Sequence, residues 1–212
     1  MGKKLDRLLS ISSDAFVLDN VVMSPEVRAV AGGLWKELES LLSCKNGFFA
    51  FEGALRVFSS KKNEFSESLD VWNSPELWRS SYVGLADGCV FFAEDIFGGQ
   101  FCIKNGNVYS FDPETGDLAF ISRSIEGWAD EVLSDYEVIT GSPIAHQWQE
   151  ANGVLSHGQR LMPKVPFVCG GEFDIGNLLA VNVVTGMKSR ANLAVQIRDM
   201  PDGAQIQFNI IE

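Results

Sequence analysis

The sequence predicts an α+β protein with a central antiparallel sheet flanked by helices. Three observations carry that expectation. Apolar residues recur at helical spacing over 25–43. Residues 89–122 read as strands joined by turns too short for a crossover helix. Two more helical stretches follow, over 124–140 and 142–152. Helices, then a meander, then helices is the order of an α+β chain. Pairing outside the meander stays open, so a mixed sheet is allowed.

Ser24-Pro25-Glu26 has the residues of a helix start: a capping hydroxyl, Pro at the first helical position and an acid in the first turn. Val27, Val30, Ala31, Leu34, Trp35, Leu38, Leu41 and Leu42 then form one buried stripe, and Asn46-Gly47 ends the helix. Phe48–Phe58 reads as a strand with a kink at Gly53, and 60–70 as a polar loop. Ser74-Pro75-Glu76 predicts a short helix carrying Leu77 and Trp78. Strands are expected at Cys89–Glu94, Gln100–Lys104, Asn107–Phe111 and Leu118–Ser122. Asn105-Gly106 is the strongest short hairpin signal available, and Asp112–Asp117 supplies a second turn. Ser124 and Ser142-Pro143 open the next two helices, which Thr140-Gly141 and Asn152-Gly153 close. Residues 154–171 read as loop, Asn177–Val184 as a strand and Met187–Met200 as a helix. A half-buried strand is expected at 205–210, where polar and apolar residues alternate.

A chain of 212 residues buries about 70% of its surface on folding, enough for one substantial core. Fifteen Phe and five Trp exclude disorder for most of the length. One domain over 1–212 is expected. The net charge is −11, and residues 63–153 alone carry three Lys/Arg against sixteen Asp/Glu. Phosphate binding needs clustered cations, so nucleic acid is not an expected partner, and neither is an anionic membrane surface. A basic protein would be drawn in by such a field. Met1–Asp6 lacks the apolar run of a signal peptide, and no stretch approaches 18 apolar residues. Cys44, Cys89, Cys102 and Cys169 have no C-x-x-C spacing and mostly apolar neighbours, which reads as buried free thiols. A cytoplasmic protein is the expectation.

No motif for catalysis emerges. His146 and His157 are the only histidines, neither sits beside a nucleophile motif, and G-x-S-x-G does not occur. Glu94 and Asp95 are adjacent, which points them to opposite faces of a strand; one of them is suited to hold the following glycine turn. Asp112, Glu114 and Asp117 share a turn, but the sixth position of that loop is Asp117 where a calcium loop needs Gly. Gly170-Gly171 and Gly176 lack the Lys of a phosphate loop, and Glu172 and Asp174 would repel phosphate. No metal and no cofactor is expected.

The run Phe91-Phe92-Ala93-Glu94-Asp95-Ile96-Phe97-Gly98-Gly99-Gln100-Phe101 resembles the central signature of the SUKH superfamily, which includes a yeast cell-wall-assembly regulator and many bacterial immunity proteins. Asn107–Phe111, the Asp112–Gly116 turn, Ser124–Trp128 and the helix ending at Asn46-Gly47 extend the likeness. On that resemblance 25–150 forms the core and 151–212 a C-terminal extension packed on it. It implies a protein-binding module, an immunity protein that occludes a basic toxin such as a nuclease. A regulatory scaffold of cell-wall or envelope synthesis is the alternative, and a small-molecule hydrolase a third. The acids expected to meet a basic partner are Glu94, Asp95, Asp112, Glu114, Asp117, Glu172 and Asp174.

Overall fold

The computed structural model describes residues 2–201 and 203–204. The strand expected at 205–210 lies outside them. Six strands form one sheet: β1 (Phe48–Ala50), β2 (Leu55–Val57), β3 (Val90–Glu94), β4 (Gln100–Lys104), β5 (Asn107–Phe111) and β6 (Leu118–Ser122). Each pairs antiparallel with the next, so the spatial order is the chain order. The sheet is therefore a pure antiparallel meander. Asn105 and Gly106 turn β4 into β5 with φ of 49° and 72°, the two left-handed residues a tight primed turn needs.

Helices cover both faces. On one side lie α1 (Lys3–Ser10), α2 (Pro25–Ala31), α3 (Trp35–Cys44) and α5 (Ile125–Ser134), where Trp128 meets Phe92 and Phe101 edge-on at 5.0 and 5.7 Å. On the other lie α4 (Leu69–Trp72), a 3-10 turn over Arg79–Tyr82, and α8 (Val183–Ile197) packed across it. There Trp78 and Phe111 close on Phe91 at 5.0 and 5.3 Å. Trp72, Trp78 and Trp128 are all buried. Two short helices, α6 (Tyr136–Thr140) and α7 (Ser142–Asn152), lead to a second, two-stranded antiparallel sheet of β7 (Gln159–Pro163) and β8 (Leu178–Asn182).

Several local expectations need correction. The helix read over 25–43 is two helices, because Gly32-Gly33 turns the chain through a 3-10 segment with Gly32 at φ 58°. Its start is as expected: Ser24 Oγ accepts from Val27 N at 3.2 Å. The kink at Gly53 is a full hairpin that pairs β1 with β2. The helix expected after Ser74 forms earlier, as α4, where Ser68 Oγ caps Val71 N at 3.3 Å. Within 154–171, β7 replaces part of the expected loop. Cys89 and Cys102 are buried, but Cys44 is exposed at the open end of α3.

One irregularity in the sheet sets the direction of Glu94. The β3–β4 register slips between Phe91 and Ala93: Phe91 pairs with Cys102, whereas Glu94 pairs with Gln100. Paired residues share a face, and Gln100 and Cys102 are two apart. Phe91 and Glu94 therefore point the same way although three residues separate them. This bulge turns Glu94 towards α8.

Candidate functional site

Glu94 is completely buried, and so does not reach the surface as a partner contact. The register sets Arg56 of β2, Glu94 of β3 and Gln100 of β4 in one cross-strand row. Glu94 Oε1 accepts from Arg160 Nε of β7 at 2.6 Å and lies 2.5 Å from Arg56 Nη2. Gln100 Nε2 donates to Oε2 at 3.1 Å, and Trp72 Nε1 donates to Gln100 Oε1 at 2.9 Å. Burial pushes the Glu94 carboxyl up, but the two guanidinium groups and Gln100 outweigh it and hold it below the ordinary value. Desolvation brings Arg56 down to about 10.

Asp95, half-buried, holds the following turn as the sequence suggested for one of the pair. Its Oδ1 accepts from Phe97 N and Gly99 N, each at 2.8 Å. Burial pushes this carboxyl up to about 7, against those two donors and Arg190. Arg190 reaches in from α8 and donates through Nη1 to Phe97 O at 2.5 Å and through Nε to Gly186 O at 3.3 Å. A Cβ on Gly98 would stand 2.6 Å from Arg190 Nη2, so the glycine lets the guanidinium lie on the turn.

Asp95, Arg190 and Glu114 line one open cavity of about 340 Å³ whose walls include Phe97, Phe111, Phe167 and Phe173. Glu114 is buried, contrary to its expected role as a surface acid. Its Oε2 accepts from Val168 N at 2.9 Å, which ties the β5–β6 turn to the loop over 164–177. Its Oε1 has no hydrogen-bond partner among the described residues. Desolvation raises this carboxyl too.

The loop over 164–177 is built to hold its shape. Asn177 Nδ2 donates to Val165 O and Glu172 O at 3.0 Å each, and Asn177 Oδ1 accepts from Val165 N at 2.9 Å. Asp174 Oδ1 accepts from Gly176 N at 2.6 Å. Phe167 and Phe173 stack with ring centroids 3.8 Å apart. Phe173 is nevertheless 61% exposed, and Val165 and Val168 stand open on the same loop. Glu172 and Asp174 flank Phe173 in exposed positions, and Asp112 and Asp117 are exposed on the facing turn. Of the seven acids expected at a partner surface, these four are exposed, Asp95 is half-buried, and Glu94 and Glu114 are buried. Gly170-Gly171 makes a turn, and a Cβ on Gly171 would sit 1.9 Å from Val165 O. Gly171→Ala must open this loop. The expected result is displaced Phe173 fluorine or methyl-neighbour signals by NMR, with the unfolding midpoint changed by less than about 3 °C because the main core lies elsewhere.

The histidines sit apart from this site. His146 Nδ1 pairs with Glu52 Oε2 at 2.8 Å on the surface, and His157 meets Phe65 edge-on at 4.6 Å.

No protein-family model matches the chain, and no curated protein does. The fold is similar to a solved structure, Atu4351 from Agrobacterium tumefaciens. The match has a TM-score of 0.54 at 12% identity and covers 90% of this chain and 88% of that one. At that identity the likeness concerns the fold. The α+β architecture is thus shared, while the SUKH likeness rests on the residues that carry it. No helix among the described residues is long and apolar enough to cross a membrane.

The residues that shape the site beyond the expected acids are Arg56, Arg160, Arg190 and Phe173. Sequence reasoning looked for acids and passed over them. A signal existed for Arg56, a lone charge inside the apolar run Leu55–Phe58, where a strand residue facing the core needs a buried counter-charge.

Proposed function

We propose that this chain is a protein-binding module of SUKH type, a cytoplasmic immunity protein that neutralises a basic toxin by occlusion. One observation supports it above the rest: Phe173 stands exposed between Glu172 and Asp174 and lines an aromatic cavity together with Asp112, whose turn also carries the exposed Asp117. An exposed aromatic ringed by like charges is the arrangement of an interface anchor with a steering rim. A basic surface that normally holds nucleic acid is its complement, and covering that surface excludes the substrate. The mode is stoichiometric binding and calls for no turnover.

The test is affinity capture from the native cells, followed by titration of the captured protein at low and high salt. One basic protein bound at one-to-one, with association slowed at least tenfold between 50 and 500 mM salt, is the expected result. Several envelope-synthesis proteins at weak occupancy would replace this reading with the scaffold.

A further inference from the structure

A second hollow, of about 230 Å³, lies beside the buried ion cluster, and both Arg56 and Arg160 line it. The two guanidinium groups share a single carboxylate, Glu94, so the cluster carries one uncompensated positive charge. Arg56 is 1% exposed and Arg160 5% exposed. Arg56 Nε and Arg160 Nη2 have no acceptor among the described residues. Their remaining contacts are already committed: Arg56 Nη1 to Phe65 O at 2.7 Å and Arg160 Nη1 to Gln159 O at 3.4 Å. Idle donors on a buried, unbalanced charge are costly, and water satisfies the donors without the charge.

We propose that this hollow binds a small monocarboxylate with an apolar body. The idle nitrogens Arg56 Nε and Arg160 Nη2 are donors only, so a ligand that satisfies them must accept, and Ser156 and His157 on the same lining can add a hydrogen bond to it. Guanidinium forks match the two oxygens of a carboxylate. One negative charge balances the cluster, and a dianion would leave an excess beside Glu52, which also lines the hollow. Phe49, Ile96, Val154 and Leu155 supply an apolar wall for the rest of the molecule. The site is independent of the acid-rimmed face and does not need the antidote reading.

The test follows the Nε–Hε resonances of Arg56 and Arg160 by NMR while benzoate, acetate, inorganic phosphate or chloride is added at constant ionic strength. Benzoate is expected to give saturable shifts in both resonances and to bind about tenfold more tightly than acetate, through its added apolar area. Phosphate and chloride are expected to leave them unmoved. Glu52→Gln, an exposed change that leaves the core intact, is expected to tighten benzoate severalfold by removing a like charge at the mouth. Arg160→Gln is expected to abolish the shift of Arg56. No saturable shift with either carboxylate, or phosphate binding more tightly than benzoate, overturns the assignment. So does benzoate binding that Glu52→Gln leaves unchanged.

Discussion

Glu94→Gln is expected to destabilise the protein by about 3–5 kcal/mol, since it leaves Arg56 and Arg160 buried without a counter-charge. For a chain of this length that lowers the unfolding midpoint by on the order of 10 °C. Replacing the whole cluster, with Arg56→Met, Glu94→Leu and Arg160→Met together, is expected to recover most of the loss, because it removes the desolvated charges themselves. Differential scanning calorimetry of the single and triple variants decides it. A single variant as stable as wild type would mean that Glu94 does not balance the cluster. The pH dependence has a defined sign. The folded Glu94 carboxyl is held below its ordinary value of 4.5. Its contribution is therefore full above that value and is lost as pH falls through the lower folded one. Asp95 runs the other way: raised to about 7, it favours the fold most below its ordinary value of 3.8 and loses that contribution as pH rises towards 7. The difference between wild type and Glu94→Gln isolates the Glu94 part, and it should shrink below pH 4.5.

The second large effect concerns the rim. Asp112→Asn, Asp117→Asn, Glu172→Gln and Asp174→Asn combined are expected to slow association with the captured partner tenfold or more at low salt and to flatten its salt dependence. The amides keep the oxygens that Asp112 and Asp174 offer to Glu114 N and Gly176 N, so the turns should hold. Phe173→Ala is expected to act instead on dissociation, by roughly 30-fold for a 2 kcal/mol anchor. Surface plasmon resonance separates the two rates. Equal rates for wild type and both variants would move the interface away from this face.

The two sets of charges also separate what local sequence determines from what it does not. The turns between β4 and β6 were legible because their determinants are local, whereas the β1–β2 hairpin at Gly53 read only as a kink. Asn105-Gly106 supplies two left-handed residues in succession between two strand-like runs. Ser24-Pro25 and Ser124 mark helix starts for the same reason: the capping group and the N–H it satisfies are within three residues. Ser142-Pro143 marks a start through the proline alone, since Ser142 lies inside the first turn of α7 and its side chain caps nothing there. The strand β7 was missed because it opens on the polar pair Gln159-Arg160 and closes on the turn-former Pro163, and α4 because its four residues are too few for periodicity to declare itself.

The acids show the limit. Seven looked equivalent in sequence, each a carboxylate near a turn. Only the tertiary structure divides them into four exposed, one half-buried and two buried, because burial depends on partners some tens of residues away. Glu94 is turned inward by a bulge one residue long, and meets Arg160 some 66 positions later. Glu114 is enclosed by Val168, and Asp95 by Arg190 of α8. A bulge has no composition of its own, and a salt bridge across three elements has no spacing. By itself the sequence determined an α+β chain with an acidic middle and an antiparallel meander, since hydrophobic period and turn chemistry act over a few residues. Which charges reach water was decided by strand register and by the packing of the C-terminal segment, since solvation is a property of the assembled fold.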